Sequence, residues 1–128
     1  MSTLNVSNIS DGTTSVGTSY VVNGSAKAWV SASQEGTTSV LDSLNVSSLT
    51  DLTTGQTTVS LSSNMATANY GVTYGCKGAA SVRTYITGGN NSFADQTSSF
   101  HRLIVYQDAT STYEDIPYAN SAVFGDLA

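Results

Sequence analysis

Apolar and polar residues alternate along this chain with a period of two, and nowhere is the i, i+3, i+4, i+7 stripe of an amphipathic helix sustained for two turns. A chain patterned in this way buries one face of each segment, as strands do and helices do not. Within residues 69–76, Tyr70, Val72, Tyr74 and Cys76 share one face, and Gly71, Thr73 and Gly75 share the other. Ala26, Ala28, Val30 and Ala32 oppose Lys27, Trp29 and Ser31 in the same manner. Further strands are expected at residues 44–47, 57–62 (Val59 and Leu61 inward), 82–87, 102–107 and 121–124. Turn chemistry separates them at Glu35-Gly36, Thr54-Gly55, Gly88-Gly89-Asn90-Asn91 and Ile116-Pro117. Many short strands at this spacing predict an all-β fold, a single antiparallel β-sandwich of jelly-roll type. Residues 25–128 make up that domain. Residues 1–24 read as a leading strand and an extended arm, because Gly, Ser and Thr dominate there, punctuated by Tyr20, Val21 and Val22.

Composition narrows the function classes. The 128 residues suffice for one core. Only 10% are charged, against about 25% in an average soluble protein, while Ser and Thr fill 39 positions. The surface is therefore wetted by hydroxyls and amides. Hydrophobic residues at 39%, with seven Tyr, exceed what a disordered polar tract carries. No apolar stretch approaches the roughly 20 residues that span a bilayer, and the N-terminus lacks a basic start or an apolar centre. A soluble chain without membrane insertion or a cleaved signal is expected. The net charge is -5 and the four basic residues, Lys27, Lys77, Arg83 and Arg102, are scattered. No basic stripe exists to neutralise a phosphate backbone, so nucleic acid is not an expected partner.

Catalytic constellations are sparse. His101 is the single histidine and Cys76 the single thiol, too few for a closed four-ligand metal site within one subunit. Cys76, His101 and Asp108 are compatible by spacing with a nucleophilic triad, but Cys76 has the inward parity of its strand, which favours packing over reactivity. Glu114 and Asp115 are adjacent and point apart in an extended segment, and Asp42, Asp51 and Asp95 lie beside turn residues. The reading is a protein that is not an enzyme and takes neither metal nor cofactor. Aromatics carry more information. Arg83 and Tyr85 share a strand face beside the loop that holds Asn90 and Asn91; a cation, an aromatic ring and two amides suit a saccharide. The plainer alternative is that such tyrosines cover the sheet or an oligomer interface.

Several stretches carry a family resemblance. The opening Met1-Ser2-Thr3-Leu4-Asn5-Val6, the runs Ala26-Lys27-Ala28-Trp29-Val30 and Asn45-Val46-Ser47-Ser48-Leu49-Thr50-Asp51, and the end Val123-Phe124-Gly125-Asp126-Leu127-Ala128 resemble short virion proteins of tailed bacteriophages, of the tail-fibre type. The segment Val30-Ser31-Ala32-Ser33-Gln34-Glu35 departs from the Asn-Phe and Gly-Thr-Gly pattern of such proteins, and residues 75–99 have no counterpart. The resemblance implies a non-enzymatic structural protein on the exterior of the particle, tail or capsid, made in the host cytoplasm. It implies a tail-fibre or adsorption module contacting the host surface; the alternative is a capsid decoration protein, a head fibre or cement. A homotrimer is implied, with Trp29 at the oligomer interface. Other virion proteins are the expected docking partners of Leu4, Val6 and Ile9, whose strand is suited to adding to a sheet edge. A host surface glycan is the expected partner of Arg83, Tyr85, Asn90 and Asn91.

Overall fold

A computed structural model of the protein describes residues 3–77, 85–87, 96–107 and 111–128, with 85–87 as backbone alone. A hairpin of β1 (Asn8–Ser10) and β2 (Ser15–Gly17) leads into a short helix, α1 (Thr18–Gly24). The strands that follow are β3 (Ala28–Ser33), β4 (Ser39–Leu44), β5 (Val46–Thr53), β6 (Gln56–Leu61), β7 (Gly71–Lys77), β8 (Tyr85–Thr87), β9 (Phe100–Gln107), β10 (Thr112–Tyr113) and β11 (Tyr118–Phe124). One sheet runs β4-β3-β11-β7, and the other runs β5-β6-β9, with β8 and β10 also pairing to β9. All of these pairings are antiparallel.

The two sheets face each other across one core, as the alternation requires. Val30, Ala32 and Ala119 of the first sheet meet Val59, Leu103 and Val105 of the second, with Ile116 beside them. Ala28, Leu61, Met65, Tyr70 and Val123 close one end. This is an all-β antiparallel sandwich. Tyr70, Val72, Tyr74 and Cys76 all pack on the core side, Tyr70 just ahead of β7 and the other three within it. The Tyr70 hydroxyl lies 2.8 Å from both Thr97 O and Phe100 O, and so ties the loop before β7 to the start of β9. Two polar pairs also cross between strands inside the layer: His101 Nε2 lies 2.7 Å from Ser121 Oγ, and Gln34 Nε2 donates to Thr57 Oγ1 at 3.1 Å.

Two local expectations change, and one strand is added. Residues 44–47 are not one strand: Asn45 adopts φ 55, ending β4 and starting β5 in the opposite sheet. Asparagine tolerates this conformation, and its side chain holds the corner by donating to Ser63 O at 3.1 Å and accepting from Ser63 N–H at 2.7 Å. Strand β4 itself had no signature, because five of its six residues are exposed and no face alternates. Residues 11–25 lie outside the core but are folded. Asp11-Gly12 makes the β1–β2 turn, with the Asp11 carboxylate accepting from Thr13 N–H at 2.9 Å and Thr14 N–H at 2.8 Å. Those backbone donors, Thr14 first, hold the Asp11 carboxyl below its ordinary range.

Candidate functional site

Two surfaces stand out because they break the burial rules that the rest of the chain obeys. The first is the N-terminal arm. Ile9 and Val16 are cross-strand partners in the hairpin, yet both are exposed, and α1 contains no buried residue. Leu4 is 82% exposed, and Val6, Tyr20, Val21 and Val22 are exposed as well. Leu4, Val6 and Ile9, the expected docking residues, therefore belong to a contiguous stretch of chain whose large apolar side chains are all exposed. Isolated exposed apolar residues are ordinary, whereas a concentration of them in one segment marks an interaction surface. A smaller set follows on two edge strands of the sandwich, where Val40, Leu41 and Leu44 on β4 and Leu52 on β5 are exposed. Both strands lie at the ends of their sheets, so apolar side chains and unpaired backbone groups occur together there.

The second surface is a trough on the outer face of the four-stranded sheet, with a cavity volume of about 340 Å³. Its geometry follows from register. On β11, Ala122 pairs with Trp29 on one side and Thr73 on the other, while Asn120 pairs with Ser31 and Gly75. The burial patterns of the three strands put all six residues on the face turned away from the core. The floor is low because Ala122 is small and Gly75 has no side chain; a Cβ there would find its nearest neighbour, Asn120 Cβ, only at 4.0 Å. Trp29, half-buried, is the one large ring in the trough's outward lining. No charged residue is among its lining, and Asp42 of the neighbouring strand pairs with Ser31. Trp29, expected at an oligomer interface, is thus placed in a depression of its own subunit.

Of the expected saccharide contacts, Arg83, Asn90 and Asn91 lie outside the described residues, and Tyr85 is described only as the first backbone position of β8, paired with Gln107. Among the groups considered for catalysis, His101, Asp42 and Asp115 have structural partners. His101 is fully buried and bonded to Ser121, and burial lowers its pKa to about 4. Its Nδ1 has no hydrogen-bond partner, so no third group orients the ring as a serine nucleophile's base requires. Burial pushes the Cys76 thiol up, away from thiolate character at neutral pH. Asp108 is outside the described residues. Asp115 accepts from Gly55 N–H at 2.6 Å, fixing the β5–β6 turn. Among the described residues, no three His, Cys, Asp or Glu side chains gather into a set able to ligate a metal ion. No helix among them is long and apolar enough to cross a membrane.

The trough escaped sequence reasoning because its six residues come from three separate stretches of chain. The arm was legible from its composition, but its hairpin was signalled only by Asp11-Gly12. No protein-family model matches the chain, and no curated protein or solved structure matches it either.

Proposed function

We propose that this chain is a non-enzymatic structural protein of a tailed-bacteriophage particle, a tail-fibre or adsorption module anchored through its N-terminal arm. The observation that carries the reading is the arm itself: an ordered hairpin and helix that expose Leu4, Val6, Ile9, Val16, Tyr20, Val21 and Val22. Such a segment gains stability only when a partner covers it, and a short two-stranded hairpin is marginal in isolation. Another virion protein is the partner assigned to it, through apolar contact and strand addition. Self-association, as a trimer by the family resemblance, falls to the exposed apolar residues of the edge strand β4, Val40, Leu41 and Leu44. Covering that edge would add burial to a small, hydroxyl-rich sandwich. Host contact is assigned to the region of Arg83, Tyr85, Asn90 and Asn91.

The test replaces Leu4, Val6 and Ile9 together with Ser. Because the three side chains are already exposed, the variant should keep its circular dichroism spectrum and melting temperature while disappearing from purified particles. Incorporation at the wild-type level would sink the docking assignment. Imaging of intact particles by cryo-electron microscopy locates the wild-type protein. Density on the capsid rather than the tail would replace the tail-fibre reading with a decoration protein.

A further inference from the structure

We infer that the trough beside Trp29 is a binding site for one neutral pyranose residue of a glycan. The inference rests on the adsorption reading and adds to it a second sugar contact, separate from the region of Arg83, Tyr85, Asn90 and Asn91; its test uses the purified protein, so it stands or falls apart from particle assembly.

Four features of the trough select that ligand. The volume of about 340 Å³ is at the lower end of the range for small-molecule pockets, about 300–1,000 Å³, which suits a single ring rather than an extended chain. A sugar presents an apolar C–H face and an equatorial rim of hydroxyls, and the outward lining matches both: one indole for the face, and the Asn120 amide with the Ser31 and Thr73 hydroxyls for the rim. The Ser31 and Asn120 side chains and the Trp29 indole N–H have no hydrogen-bond partner among the described residues, so their donors and acceptors are available to a ligand. The lining carries no charge, which selects a neutral ring. With no cation among the lining residues, a uronic or sialic acid, or a phosphate, would find no ion-pair partner there, whereas the amide and hydroxyls serve a neutral sugar.

The glycine at position 75 is part of the same design. Its strand neighbours have side chains, and the sheet does not demand glycine there, since a Cβ would fit with room to spare. What its absent side chain does is leave the row Ser31–Asn120–Gly75 open at one end.

Trp29 is the chain's single tryptophan, so intrinsic fluorescence reports this site without labelling. The full chain is titrated with the methyl glycosides of glucose, galactose, mannose and N-acetylglucosamine, and with glucuronic acid as the charged control. The expected result is a saturable change in emission for at least one neutral glycoside, with Kd on the order of 1 mM, and none for glucuronic acid. Asn120→Ala should weaken that binding by about five-fold, the loss of one hydrogen bond. Gly75→Val, which fills the floor in a position open enough to keep the fold, should abolish it while leaving the circular dichroism spectrum unchanged. Three results would overturn the inference: no response to any of the four neutral glycosides, an equal response in Gly75→Val, or an emission change that follows protein concentration and not sugar. The last would return Trp29 to an oligomer interface.

Discussion

Acidification should destabilise this protein through one residue. His101 projects from β9 into the layer between the sheets, has no accessible surface, and makes a single side-chain hydrogen bond, to Ser121 on β11. The Tyr74 ring is 6.4 Å away and, among the described residues, the one hydrogen-bond partner of the His101 ring is the neutral Ser121 hydroxyl, so desolvation governs its charge. Burial takes its pKa from 6.5 to about 4. The sign follows from proton counting. Between those two values the unfolded chain binds a proton that the folded chain refuses, so the stabilisation is complete above about pH 7 and is lost as the pH falls towards 4. A depression from 6.5 to about 4, at 1.36 kcal/mol per unit, corresponds to about 3 kcal/mol, a large part of the roughly 5–15 kcal/mol that holds a domain together. The Asp11 carboxylate does not confuse the measurement. Its pKa is lowered from 3.8, so it titrates below the window.

The assay is urea denaturation, followed by circular dichroism at several values from about pH 7.5 to 4.5, of the wild type and of His101→Gln. Glutamine keeps a hydrogen-bonding group near Ser121 and cannot titrate. Wild-type stability should fall with a slope approaching ~1.4 kcal/mol per pH unit, and the variant should be flat by comparison. The reasoning fails if the two slopes agree, or if an NMR titration places His101 near 6.5.

Gly55→Ala should destabilise the sandwich by about 3 kcal/mol, read as a lower urea midpoint. Gly55 has φ 68, and a Cβ there would stand 2.6 Å from Val105 O and 2.7 Å from Glu114 N, backbone atoms that cannot step aside; a variant as stable as the wild type would refute the positive-φ turn. Tyr70→Phe removes a hydroxyl that lies 2.8 Å from both Thr97 O and Phe100 O. It should cost about 1–2 kcal/mol and speed amide exchange around residues 96–100, whereas unchanged exchange would show that the loop is held by other contacts.

How much of this architecture was legible in the sequence depended on which side of each strand is buried. In β3, β6, β7 and β11 the burial alternates along most of the strand, so hydrophobic alternation survives and the strand and its inward residues can be read directly, whereas in β9 Leu103, Ile104 and Val105 are all buried and only the strand itself is legible. In β4 almost every residue is exposed, so nothing in Ser-Val-Leu-Asp-Ser-Leu had to alternate, and both the strand and the corner at Asn45 went unread. The arm's lack of a core role was visible in its composition, while its hairpin rested on two residues, Asp11 and Gly12.

By itself, the sequence determined the fold class, the faces of the core strands and the scarcity of catalytic groups. Each of these depends on local periodicity or on counting residues. The tertiary structure decided what lies beside what. Placing β11 between β3 and β7 set Asn120 between Ser31 and Gly75, and Ala122 between Trp29 and Thr73, and facing the sheets set His101 against Ser121. Strand order and register arise from the packing of the whole core, and a period-two pattern is the same whichever strands are neighbours.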